Sequence, residues 1–187
     1  MLKNKLLVVI VFFIAMYLKP FSTFSQQEFK GSVGVRFGYG IGLTGTYHLQ
    51  NNQNIEFLLR YGYHGLILNR PGLNFQALYE KHWQLRSSNF TAYVGGGPAI
   101  GAGKRSSNSP TVYFVLGASP ILGFDYTTQR TKVPFILALD YKPTFNVDMP
   151  MKKGVKTDVN FSYYEIAFSV RVGIGRMGRN YKKYRRR

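Results

Sequence analysis

Three histidines, His48, His64 and His82, are the first residues in this sequence whose side chains could carry protons or hold a metal. A metal site would need them at one depth. No i, i+2 or i, i+4 spacing brings two of them together, and the chain has no cysteine to complete a ligand set. Such scattered positions favour hydrogen-bonding histidines inside the protein, His48 and His82 toward one end and His64 toward the other. Hydrolytic or acyl-transfer chemistry would need a base within hydrogen-bond reach of a nucleophile. His64 is the histidine placed for that role, with Ser106, Ser107, Ser109 and Ser162 as candidate nucleophiles, yet no motif ties any of these serines to it. The runs Gly95-Gly96-Gly97-Pro98 and Gly101-Ala102-Gly103 share composition with phosphate loops. They lack the following Lys-Ser/Thr pair and a helix to point at an anion, so they read as strand glycines. No metal, no cofactor and no catalytic residue is therefore expected.

The remaining groups with chemical potential are charges, and their spacing is informative. Arg36, Glu56, Arg60, Glu80, Asp125, Asp140, Lys142, Glu165 and Arg171 all fall on the polar parity of an alternating pattern. Five acids against four bases is near balance, as expected where charges must pair inside the protein, since an unpaired buried charge costs several kcal/mol.

The elements that must position these groups are strands. From Tyr164 to Ile174 the even positions are Tyr, Ile, Phe, Val, Val and Ile, and the odd ones Glu, Ala, Ser, Arg and Gly. A period of two over eleven residues marks a strand with one apolar and one polar face. The pattern recurs along the chain. It predicts strands near 31–38 and 42–49, split at Gly38-Tyr39-Gly40-Ile41-Gly42, then near 55–64, 73–82, 90–102, 112–126 and 133–145. Eight strands result, and no segment has helical periodicity. The links after the even-numbered strands are short. Those after the third, fifth and seventh are longer, and the stretch from Asp148 to Asn160 is the longest.

The ends read differently. Lys3 and Lys5, the apolar run Leu6 to Leu18 and the small residues Thr23 and Ser25 predict a signal peptide over residues 1–25. Removing it leaves 22 basic residues against 8 acidic ones. Most of that excess lies in loops and in a tail, residues 176–187, with seven basic residues and two tyrosines. In an exported chain this tail is expected to be solvated and disordered in the periplasm, meeting a polyanion there rather than nucleic acid.

A soluble eight-stranded barrel would show the same alternation with its faces exchanged. Glycines and balanced charges on the polar face, and tyrosines and phenylalanines toward strand ends on the apolar face, favour a polar interior and an aromatic-girdled exterior. Together with the signal peptide, strand count, loop asymmetry and Phe168-Ser169-Val170-Arg171-Val172-Gly173-Ile174, this chain resembles the small outer-membrane β-barrel proteins of Gram-negative bacteria, of the OmpA and OmpX type. The resemblance covers residues 29 to 175 and implies an all-β, eight-stranded antiparallel up-and-down transmembrane barrel over 26–175. It implies a monomer in the outer membrane of the cell envelope, lipid partners including lipopolysaccharide, and folding by the barrel-assembly machinery, though a basic tail follows the last strand where an aromatic residue usually closes the chain. The expected role is structural or interaction-related through the longer loops. A lipid A-modifying enzyme and a soluble lipocalin-like carrier are the alternatives.

Two finer expectations concern the interior and the wall. Arg60 should pair with Glu80, and Lys142 with Glu165, across neighbouring strands. Pro98, Pro120 and Pro143 fall within strands five, six and seven on the apolar face, where each removes a ladder donor. They mark ends of regular pairing or, more sharply, a lateral seam in the wall.

Overall fold

The computed structural model describes residues 29–38, 40–49, 52–62, 72–85, 89–104, 108, 110–128, 133–152, 154–163 and 165–176. The expected signal peptide and nearly all of the basic tail lie outside them.

Alternation builds ten strands: β1 (Phe29–Gly38), β2 (Gly40–His48), β3 (Gln53–Tyr61), β4 (Gly72–Gln84), β5 (Phe90–Lys104), β6 (Val112–Thr127), β7 (Phe135–Tyr141), β8 (Thr144–Pro150), β9 (Asp158–Ser162) and β10 (Ile166–Arg176). Every pairing is antiparallel. β7 and β8 both pair with β6, β9 pairs with β8, and β10 pairs with β7 and β1. β7–β8 and β9–β10 are thus two staves, each interrupted once. With β5 paired to β6, the sheet closes on itself as an eight-stave barrel, matching the strand count expected from the pattern.

The register sets the bore. Paired residues lead from Arg36 through Gly42, Arg60, Asn74, Gly101, Val115 and Asp148 to Asp158, whereas Arg36 itself pairs with Ser169, eleven residues further along that stave. One of those residues is a bulge: three residues separate Ser162 from Ile166, while two separate their partners Thr144 and Tyr141. Such stagger tilts every strand, and an eight-strand barrel so tilted is just wide enough for side chains to fill.

Faces follow parity. Leu43, Phe57, Phe75, Leu122, Leu139 and Ile166 are among the apolar side chains exposed on the outside, Leu43 at 62%. Inside, all nine charged residues named above are buried, Arg60 the least so at 7% exposure.

Boundaries differ from expectation in two places. The first hairpin is tight, Gly38 pairing with Gly40, whose φ of 106° is a left-handed conformation that other residues adopt at a cost. The links after the fifth and seventh staves are shorter than composition suggests, spanning 105–111 and 151–157. Asp148 and Asn160 lie on paired strands there, and Asn160 Nδ2 donates to Asp148 Oδ2 at 2.7 Å. Polar residues that read as loop are strand residues whose face happens to be polar. The loop asymmetry is weaker in consequence, because the 128–134 link at the opposite end is as long.

Candidate functional site: a plugged lumen and an interrupted wall

Stagger around the barrel determines which inward side chains meet, and they gather in two tiers. In the tier nearer the chain termini, Arg171 Nη2 donates to Asp125 Oδ1 at 2.5 Å, and its Nη1 lies 3.7 Å from Glu56 Oε1. Arg36 pairs with Asp140 and sits 3.9 Å from the same Glu56 oxygen, which also accepts from Thr44. Tyr93 Oη reaches Asp140 at 3.3 Å across the intervening β6. Below these, His48 Nδ1 meets Asn54 Oδ1 at 2.8 Å, Asn54 Nδ2 meets His82 Nε2 at 2.9 Å, and His82 Nε2 lies 3.0 Å from Glu80 Oε2. The two histidines are links in a buried hydrogen-bond chain.

The second tier is built around Glu165. Arg60 pairs with its Oε1, Lys142 Nζ approaches that oxygen at 2.7 Å, and Thr144 Oγ1 donates to Oε2 at 3.0 Å. Lys142 Nζ also donates to Gln76 Oε1 at 2.5 Å, and Gln76 Nε2 to Asn74 Oδ1 at 2.7 Å. Lys142 thus meets Glu165 on the neighbouring stave. Arg60, in contrast, takes Glu165 rather than Glu80, because in the register Arg60 stands opposite Asn74 while Glu80 stands opposite Asn54, six residues down the ladder. Glu80 takes His82 instead. No parity argument along one strand reveals these partners across the bore.

Small inward residues make room for the large ones. A Cβ on Gly123 would sit 2.5 Å from Tyr93 Cζ and 2.7 Å from Asp140 Cβ, so glycine there admits the tyrosine ring that spans toward Asp140.

Chemically, the lumen holds fixed, mutually paired charges. Among the described residues no group of three or more His, Cys, Asp or Glu side chains could hold a metal ion. Ser162 is buried and paired in the ladder with Thr144. His64, Ser106, Ser107 and Ser109 lie outside the described residues.

The three prolines occupy the outer face of adjacent staves, Pro98 and Pro120 exposed and Pro143 half-buried. On both sides of β5–β6 the ladder lapses beside them. Between β4 and β5 no pair forms at Ala77/Pro98 or Leu78/Gly97, although Gln76↔Ala99 and Tyr79↔Gly96 keep the register. Between β6 and β7–β8 pairing stops after Ala118↔Phe145 and resumes at Leu122↔Tyr141, again without change of register, which sets Pro120 opposite Pro143. Proline spacing alone gives no sign of this face-to-face placement.

No protein-family model, curated protein or solved structure matches the chain.

Proposed function

We propose that this chain is a small outer-membrane β-barrel protein of the OmpA and OmpX kind, a plugged barrel whose role is structural or interaction-related at the cell surface. One observation carries the reading: the closed barrel is inverted, with paired charges sealed inside and apolar side chains exposed on every stave. In water that arrangement would expose a continuous apolar surface at great cost. In a bilayer it suits the solvent, and closure leaves no unpaired sheet edge along the completed ladders. Staves of nine or more residues, tilted, are long enough for the roughly 30 Å of hydrocarbon. A soluble carrier barrel would keep its apolar face within. With the bore crossed by ion pairs, function falls to the rims: the links at 62–71, 105–111 and 151–157 would meet outside partners, while a monomeric wall meets lipid, lipopolysaccharide included. Residues 1–25 would direct export, barrel-assembly machinery would insert the chain, and the basic tail would meet a polyanion.

Fractionation tests this directly. The protein should be recovered from outer membranes with detergent, and unheated samples should migrate differently from boiled ones on gels. Recovery as a soluble, detergent-free protein would refute it, and large stable single-channel currents would refute the plugged lumen.

A further inference from the structure

The rung at Pro120 and Pro143 is chemically special. Lys142 N–H donates toward β10, to Glu165 O at 2.8 Å. Backbone N–H directions alternate along a strand, so residues 141 and 143 direct theirs toward β6. Position 143 therefore faces 120 in the type of pair that normally exchanges two N–H···O=C bonds. Both residues are proline, so neither bond can form, and each carbonyl loses the ladder donor it would have had. In hydrocarbon no water can replace the missing donor for either carbonyl.

A second, independent feature lies directly behind this rung. Most of the lumen is polar, yet the inward faces of β4, β5 and β6 carry Leu78, Tyr93, Ala99, Tyr113, Val115 and Ile121, all buried. Leu78, Tyr93 and Ile121 pack as one cluster, and Tyr113 with Val115 as another further along β6. Ile121 and Leu78 each sit at a lapsed ladder position. From Gly95 to Gly103 the inward positions of β5 are glycine or alanine, so no charge ties that part of β5 to the ion-paired side. The ladder between β5 and β6 itself is complete, from Phe90↔Tyr126 to Lys104↔Val112. A two-stranded panel is thereby bounded by weak seams on both sides and backed by two apolar clusters, with Gly117 and Ser119 between them on β6.

We propose that the wall at Pro120 and Pro143 is a lateral entry site for the hydrocarbon chain of a membrane lipid, received inside by the strip from Leu78 and Ile121 to Val115. The proposal rests on the membrane reading above. Outside the seam the wall is apolar; inside it Ile121 lies on the β6 side with Leu78 beyond, while Lys142 and Thr144 line the other side and Ser119 Oγ donates to Thr144 Oγ1 at 3.0 Å across the gap. A chain entering here displaces the Ser119–Thr144 bond and the bond from Lys142 Nζ to Gln76 Oε1 that crosses behind the panel, while the Lys142–Glu165 pair lies on the β10 side.

The absence of cysteine from the sequence allows a site-specific test. Ala99→Cys places a thiol inside the panel, and Ala138→Cys places a matched one inside β7, where the ladders to β6 and β10 are both complete. Both alanines are buried, at 2% and 1% exposure. The variants are reconstituted in phosphatidylcholine vesicles, insertion is checked by heat-modifiable migration, and each is treated with a maleimide on a long alkyl chain and with a charged, water-soluble maleimide. The alkyl reagent should label Ala99→Cys about tenfold faster than Ala138→Cys. Adding Pro120→Ala and Pro143→Ala should slow it about tenfold, as expected for closing a rung with two backbone hydrogen bonds. If that double replacement does not insert, Pro143→Ala alone should slow labelling severalfold. Equal rates at the two cysteines, or no slowing by proline replacement, would overturn the proposal. So would labelling of Ala99→Cys by the charged reagent alone, which would mean entry from the rim. Failure of the parent barrel to insert would instead overturn the membrane reading, and this inference with it.

Discussion

The two sides of this barrel solve the same closure problem differently. From β10 through β1 and β2 to β3 the ladders run without a gap from Gly31 onward, with Gly31 to Phe37 paired on both edges of β1. The lumen face there carries Ser32, Arg36, Thr44, Thr46, His48 and Glu56. From β4 through β6 to β8 the ladders lapse twice; between the lapses the lumen face of β5 and β6 is largely apolar or glycine, while Gln76 and Glu80 on β4 and Lys142 and Thr144 beyond the second lapse are polar. The two lapses thus bound the two staves with the most apolar lumen face. An ion pair sealed from solvent is tolerable while its enclosure holds, and opening it would separate partners that neither an apolar outer face nor a narrow bore can satisfy. An apolar strip makes no such demand, and its wall can be looser.

The largest effect that would break this contrast comes from removing a cation on the polar side. Arg171→Met should leave Asp125 and Glu56 short of a partner and cost about 3–5 kcal/mol, the usual penalty for orphaning buried charge. Urea unfolding in vesicles, followed by the fluorescence of Trp83, the single tryptophan, gives the measurement. A loss no greater than that for trimming Val115 to alanine would mean that ion pairing is not what holds that side together. Adding Asp125→Asn to Arg171→Met should recover part of the loss, because the two side chains act as one unit.

Next in size is Glu165→Gln. Glutamine keeps the shape and can still accept from Thr144, but it removes the anion shared by Arg60 and Lys142. A loss of about 2–3 kcal/mol is expected, in the range for hydrogen bonds to charged groups. If the upper tier were held mainly by its neutral members, Gln76, Asn74 and Thr144, the loss would fall below about 1 kcal/mol.

Packing gives a smaller, internally controlled difference. Gly123→Ala drives a methyl into Tyr93 and Asp140 and should cost about 1–3 kcal/mol. At Gly45 the nearest atom to an added Cβ is 3.9 Å away, so Gly45→Ala should change stability by less than about 0.5 kcal/mol. Equal losses would show that the lumen is less tightly filled than its burial implies.

Parity along the chain reveals the strands, their faces and the set of inward charges, because a two-residue period is local and survives any tertiary arrangement. It cannot reveal who meets whom across the bore. Arg60 reaches Glu165 because the barrel's stagger brings distant residues of different staves to one depth, and stagger is a property of the closed ring rather than of any strand. Asp148 and Asn160 escape the pattern for a related reason: polar residues on both parities look like loop until one face is known to be a lumen. The break at Lys142-Pro143 leaves no mark in the alternation, since the pattern resumes on the same parity, whereas the bulge between Ser162 and Ile166 shifts it by one residue: Val159 and Phe161 face outward on odd positions, Ile166 and Phe168 on even ones.

The smallest predicted change is the sharpest for the contrast between the two sides, because its sign is unusual. Replacing Pro120 and Pro143 together by alanine restores two N–H donors opposite two carbonyls that now lack them. Each restored bond should contribute about 0.5–1.5 kcal/mol. Against this, each proline stiffens the unfolded chain, and losing that restriction costs about 0.4–1 kcal/mol per site. The two terms nearly offset, so the double variant should be unchanged or up to about 1 kcal/mol more stable by the same urea midpoint. A loose wall would then be shown to be no requirement of the fold, since the ladder can be completed at no thermodynamic penalty. A loss of about 2 kcal/mol or more would mean the opposite: the prolines would be fitted into a geometry that alanine cannot reproduce, and the lapse would belong to the architecture itself.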